Sequence, residues 1–381
     1  MTDANLAPIE HPGSFIAEEL VYRGWTQADL AYILNMDATQ LNRLIKGRTN
    51  ITLDNAIALG DAFGMSAQFF MNLQNQYDLR KSKSSDPSIS KRAKLSVFPI
   101  KKMIERGWIE DTETSLLDLQ IMRFFNKDKI EDIPFINPEV SVIPHAAKKT
   151  DYDGMTPIQY AWLFRVRKIA ENMECPLYSE EKLRENLNTI RSHMLDTDDF
   201  KYIPKILNDC GVRFVLVESL QGSKIDGVCL WLGGQPVIGM TLRLNRPDNF
   251  CFVLRHEIEH VLRGDGKEET FSPVDEKICD GDNSETDLPD CEKIANHEAS
   301  EFCIPSNLLD SFIERKSPFI SERDVLNFAA RVEINPSVVV GQIQRRTEKW
   351  GWLRKYHKNI HKKLMDWEHK DGWGHPAPTG L

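Results

Sequence analysis

With 381 residues, 41% hydrophobic and 28% charged, the chain has the size for two or three domains and the apolar content of a soluble globular protein. A formal charge of −9 excludes a protein that coats nucleic acid along its whole length, yet leaves room for a local DNA-binding module. No run approaches the ~18 apolar residues that span a bilayer, and Met1-Thr2-Asp3-Ala4-Asn5 forms neither a basic nor an apolar leader, so a cytoplasmic protein without a membrane partner is expected.

Residues 7–80 read as five short helices. Ser14 is expected to cap the first, which runs through Tyr22. Thr26-Gln27-Ala28-Asp29-Leu30-Ala31 opens the second, and Asn35-Met36-Asp37 turns into a third from about Ala38 to Lys46, stopped by Gly47. Thr52 and Ser66 cap two more. The spacing is that of a helix-turn-helix unit, or of an all-helical protein-interaction module with the same core pattern. In the first case the outward residues of the third helix, Thr39, Gln40, Asn42 and Arg43, reach base edges, while Gln27, Lys46 and Arg48 hold phosphates.

His11-Pro12-Gly13, Thr26 through Ala31, Gly47-Arg48, Ile51-Thr52 and Asn72 through Leu79 together resemble the HigA-type branch of the Xre helix-turn-helix family. That resemblance implies an antitoxin or repressor fold that binds operator DNA, usually as a homodimer on a palindrome.

Residues 81–96 are rich in Ser and Lys without apolar periodicity, and read as a flexible basic linker. From 97 to 205 the spacing is mainly helical, interrupted near Pro134, Pro138 and Pro144. No catalytic constellation stands out there. His145 and His193 are isolated, and isolated histidines are more often surface or core residues than ligands.

Residues 206–345 form a different pattern. Gly211 through Val217 reads as a buried strand, and two further strands, 226–232 and 236–242, meet at Gly233-Gly234-Gln235. An edge of this small sheet is expected beside the site, open to pairing with an extended peptide.

Asn249 through Leu262 then carries His256-Glu257-Ile258-Glu259-His260 inside an apolar helix. At about 100° per residue the two imidazoles fall within roughly 40° of each other, opposite Leu254, Ile258, Val261 and Leu262. Two His at i and i+4 can grip one zinc ion, with a neighbouring Glu as general base. A chance pair on a solvated face is the alternative. Glu257 flanks the side nearer the core and matches the motif, while Glu259 reads as solvated.

A third ligand is needed. Glu292 through Pro305, taken as a helix, puts Glu292 and Asn296 at the edge of the side that carries Ala295, Ala299, Phe302 and Cys303. Glu292 is therefore the candidate third ligand, and Asn296 a neighbour that accepts a hydrogen bond from a ligating imidazole. An N-terminal Glu favoured by the helix dipole explains the same residue without a metal.

Gly211-Val212-Arg213-Phe214, Lys224-Ile225-Asp226-Gly227, Arg246 through Phe250, the His256 to His260 motif, Gly264-Asp265-Gly266 and Glu292 through Pro305 resemble the ImmA/IrrE family of zinc metallopeptidases. The resemblance implies a zincin-like α+β domain and Zn2+ held by His256, His260 and Glu292, with Glu257 as catalytic base. It also implies a narrow protein substrate, a repressor or antitoxin. The chain departs from many members in having Ile294 and Glu298 where they have Glu and Phe.

Glu268, Glu269, Asp275, Glu276, Asp280, Asp282, Glu285, Asp287 and Asp290 form an acidic loop without EF-hand spacing, read as a flap near the active site. In the tail, 346–381, Trp350, Trp352, Trp367 and Trp373 interleave with basic residues and read as an amphipathic helix packed on the catalytic domain. Seven scattered cysteines (Cys175, Cys210, Cys229, Cys251, Cys279, Cys291, Cys303) contain no Cys-x-x-Cys and read as reduced, small apolar side chains.

The expected whole is an α+β multidomain regulator: an all-α helix-turn-helix domain, a helical middle and a zincin-like domain with a small sheet. Its expected activity is zinc-dependent cleavage of a regulatory protein. The rival is a non-proteolytic antitoxin or repressor whose zinc domain senses a signal or docks a partner.

Overall fold

The structure, a computed structural model, describes residues 10–82, 87–136, 155–267, 274–276 and 289–376. Pro138, Pro144, His145, Cys279 and most of the acidic stretch, from Glu268 to Asp287, lie outside the described residues. The chain divides into two compact units, 1–89 and 90–381.

In the first unit, α1 (Pro12–Arg23), α2 (Gln27–Ile33), α3 (Ala38–Ile45), α4 (Leu53–Phe63) and α5 (Ala67–Lys81) enclose their own apolar core, which includes Ile16, Leu30, Leu41, Leu44, Leu59 and Phe70. The helix starts follow from local chemistry. Thr26 and Asp29 form a reciprocal capping box on α2, Asp37 accepts from the Thr39 and Gln40 amides, and Thr52 and Ser66 cap α4 and α5. Ser14 does not cap α1. That position belongs to His11, whose Nδ1 accepts the Gly13 amide at 2.9 Å, because Pro12 occupies the first helical position, where a missing N–H is tolerated.

The second unit begins within α6 (Pro87–Leu95), so the stretch expected to be a flexible linker is in part helical. α7 (Ile100–Glu105), α8 (Thr114–Phe124) and α9 (Pro157–Glu171) follow, then α10 (Glu180–His193) and α11 (Ile203–Asp209). The strands β1 (Arg213–Val217), β2 (Ile225–Leu232), β3 (Gln235–Met240), β4 (Val274–Glu276) and β5 (Lys370–Asp371) form one sheet in the order β4-β2-β3-β1-β5. β2 and β3 are antiparallel through Gly233 and Gly234, both at positive φ, as a two-residue hairpin turn requires. β1 runs parallel to both β3 and β5.

The helices α12 (Pro247–Arg263), α13 (Asp290–Cys303), α14 (Ser306–Lys316), α15 (Glu322–Val332), α16 (Pro336–Thr347) and the short α17 (His361–Leu364) complete the unit. One core layer joins α10, α11 and one face of the sheet to α12 and the helices after it. A second joins α6 to α9 with the sheet's other face, through residues such as Trp108, Phe125, Trp162, Val215 and Val228. The boundaries drawn at 205/206 and 345/346 therefore fall inside one unit, since the middle helices bury their apolar faces against the sheet.

The tail is not an amphipathic helix. It is a chain of short elements ending in β5, with Trp352, Trp367 and Trp373 packed on the core. Buried Asp371 of β5 accepts from Trp108 Nε1 at 2.9 Å and pairs with buried Arg165 of α9. At the other end of the unit, His357 Nδ1 lies 3.2 Å from Asp248 in the first turn of α12. The tail thus holds both the sheet edge and the start of α12. Among the described residues no helix is long and apolar enough to cross a membrane.

Candidate functional site

α12 starts at Pro247, ends at Gly264 in the left-handed conformation, and is buried on nearly every side. His256, Glu257 and His260 are each 0–1% exposed. Glu259, expected to be solvated, is 13% exposed in its side chain and pairs with buried Arg255 at 2.9 Å. Arg255 also reaches Glu298 of α13 at 3.6 Å and stacks over Phe302, so α12 and α13 share a buried charge between them.

α13 presents Glu292 to the two imidazoles. The Nε2 atoms of His256 and His260 lie 3.0 Å apart, with Glu292 Oε2 at 3.2 Å from the first and Oε1 at 3.4 Å from the second. Four-coordinate zinc with ligand bonds of about 2.0–2.1 Å separates its donors by roughly 3.3–3.4 Å. The three donor groups, His, His and Glu, therefore match that ion in type and in spacing, and leave one of its four positions open.

Asp265, just beyond Gly264, holds His260 in place: its Oδ2 lies 2.9 Å from His260 Nδ1. Nothing in the spacing of Gly264-Asp265-Gly266 signals this contact, which depends on the turn at Gly264. The Oδ1 of Asn296 is buried and accepts no hydrogen bond from either imidazole or any other group among the described residues. Asn296 sits one turn beyond Glu292 and lines a cleft instead.

Glu257 points at β2. A Cβ placed on Gly227 would sit 2.1 Å from Glu257 Oε1 and 2.8 Å from Val253 Cγ1. Only a strand residue without a side chain leaves room for this carboxylate. The pairing of β2 with β4 slips between Ile225 and Gly227, and the intervening Asp226 is held by Arg243 through two contacts of 3.0 and 2.9 Å. Bulges of this kind recur beside active sites, where they re-aim side chains. The outer edge of β2 is paired with β4.

Among the described residues no cysteine joins the cluster of His256, His260 and Glu292. Burial pushes the Cys251 thiol of α12 well above its ordinary range and that of Cys303 up to about 12, so both stay protonated as small apolar groups.

In the N-terminal unit, Gln27, Thr39, Gln40, Arg43, Lys46 and Arg48 are exposed and Asn42 is half-buried. They belong to α2, α3 and the turn that follows α3. The α3 core residues Leu41 and Leu44 face inward, and the Ile51 amide after that turn donates to buried Gln74 at 2.9 Å.

The helix-turn-helix family model matches residues 16–70. Virulence-associated protein I of Dichelobacter nodosus is 33% identical over 87 residues, covering 23% of this chain and 81% of that protein. Through its N-terminal domain the chain belongs to the helix-turn-helix family. Similar solved structures include the Pseudomonas aeruginosa antitoxin HigA with the higBA promoter, 38% identical over 19% of this chain and 79% of that one, with a TM-score of 0.19. Another is a HigA-family addiction module antidote protein from Coxiella burnetii, 28% identical over 25% of this chain and 91% of that one, also at 0.19. The helix-turn-helix match runs from α1 into α5.

Proposed function

We propose that the protein is a DNA-binding regulator with a zinc-dependent endopeptidase in its second unit, acting on a repressor or antitoxin-type protein. The observation that carries the peptidase half is the convergence of His256, His260 and Glu292, with the Glu257 carboxylate buried beside them. The helix-turn-helix match supports the DNA half. As a dimer on a palindromic operator, two copies of α3 would enter successive major grooves, with Thr39, Gln40, Asn42 and Arg43 toward bases. Gln27, Lys46 and Arg48 would hold phosphates.

When bound, zinc supplies Lewis acidity toward the scissile carbonyl and toward water. His256, His260 and Glu292 hold the ion, and Asp265 orients His260 and raises its basicity as a ligand. Glu257 takes the proton of the attacking water and delivers it to the leaving amine. Its burial against Gly227 and Val253 fixes the carboxylate without a search among rotamers.

The second reading, a non-proteolytic repressor whose metal domain senses or docks, is favoured by one observation: β4 already pairs with the β2 edge that an extended substrate would join. Co-expression with candidate repressors and antitoxins separates the two. Wild type is expected to clip one partner at a single site, and Glu257→Gln to lower the rate by about 10²–10⁴-fold, the usual contribution of a general base. Clipping unchanged in Glu257→Gln, or none with any partner, would overturn the peptidase half.

A further inference from the structure

Beside the metal-ligand triad, between α13 and α16, lies a cleft of about 580 Å³. Lys293, Asn296, His297, Ser300, Arg345 and Arg346 line it, and among the described residues that line it none is acidic. Two chains of contact tie the lining of the cleft to the site. Asn296 stands one turn after Glu292 on α13. Arg345 of α16 stacks over Phe252 at 5.4 Å, and the Phe252 ring lies 6.4 Å from that of His256.

Two of its cations have partial partners. Arg346 is 3.3 Å from Asp310 and Lys293 is 3.7 Å from Asp290, but these are exposed pairs, which water screens strongly. Arg345 has its guanidinium over an aromatic ring, a contact that leaves its N–H edge available to a carboxylate. Asn296 adds an acceptor, since its buried Oδ1 has no hydrogen-bond partner among the described residues. Chloride or sulfate has no N–H or O–H to give that oxygen. A peptide brings both an acidic side chain for the cations and a backbone N–H for Asn296.

We propose that this cleft is a specificity subsite that takes the carboxylate of a Glu or Asp side chain in a peptide bound at the metal centre. The assignment rests on the peptidase reading above and narrows it, since cleavage would fall close to an acidic residue.

The test uses full-length Glu257→Gln protein, loaded with zinc so that it binds without cutting. A short fluorescein-labelled peptide with two central glutamates is compared by anisotropy with its glutamine counterpart. The glutamate peptide is expected to bind roughly tenfold more tightly, as charge-assisted hydrogen bonds give. The preference is expected to vanish in both Lys293→Gln and Arg345→Gln on that background. Lys293 is exposed on the rim, so its variant separates a lost contact from misfolding, and melting curves check Arg345→Gln. Equal binding of the two peptides, or a preference that survives in both variants, would overturn the subsite. Failure of the peptidase reading looks different: the charge preference holds, yet zinc-loaded wild type cuts neither peptide nor a mixed peptide library.

Discussion

Glu257 is fixed by a residue that has no side chain. Because a Cβ on Gly227 would stand 2.1 Å from its Oε1, Gly227→Ala must push the carboxylate or β2 aside. Displacements near 1 Å at a reacting group cost about 10²-fold in rate. The variant is therefore expected to cleave about 10²-fold more slowly with its zinc content unchanged, measured on a single preparation by rate and by metal analysis. Unchanged cleavage would show that Gly227 does not set the position of Glu257. At this scale the sequence exposed much of the site. His256, Glu257 and His260 are local in the chain, and helical periodicity alone puts the imidazoles together. The parts taken by Asp265 and Gly227 depend on the turn at Gly264 and on how β2 crosses α12, and neither leaves a periodic signal.

Elements tell a similar story. The starts of α2, α4 and α5 were legible because Thr26, Thr52 and Ser66 hydrogen-bond amides two or three residues on. β5 was not, since two residues carry no alternation; Asp371 and its distant partners make it a strand. In the sheet edge so formed, buried Arg165 has Asp371 as its counter-charge, and Trp108 donates to the same carboxylate. Removing one member of a buried pair leaves the other charged in a poor solvent, at a cost of about 3–5 kcal/mol. Asp371→Ala is expected to lose stability on that scale in urea unfolding of the second unit, and a loss below about 1 kcal/mol, the range of an exposed pair, would contradict this account. In the other unit, Lys46→Ala is expected to reduce the slope of log affinity against log salt by about one and weaken operator and random DNA alike. A gel-shift salt titration measures it, and an unchanged slope would remove Lys46 from the phosphate contacts.

For the whole molecule, the division between units 1–89 and 90–381 places the helix-turn-helix core and the His256, His260 and Glu292 cluster in separate compact bodies on one chain. Positions 205/206 and 345/346 both lie within the second unit. Composition shifts near residues 205 and 345 look like domain edges, whereas shared burial of α9, the sheet and the tail joins them into one body. On the function proposed above, such a chain would carry operator recognition and substrate cleavage together, and every step assigned to the second body would depend on three side chains gathering one ion. Zinc per full-length chain after dialysis, measured by elemental mass spectrometry, tests that directly. The account predicts about one equivalent in wild type and in Glu257→Gln, with near-complete loss in His256→Ala and Glu292→Ala. Zinc retained at the wild-type level in both ligand variants, with their folds intact, would contradict it.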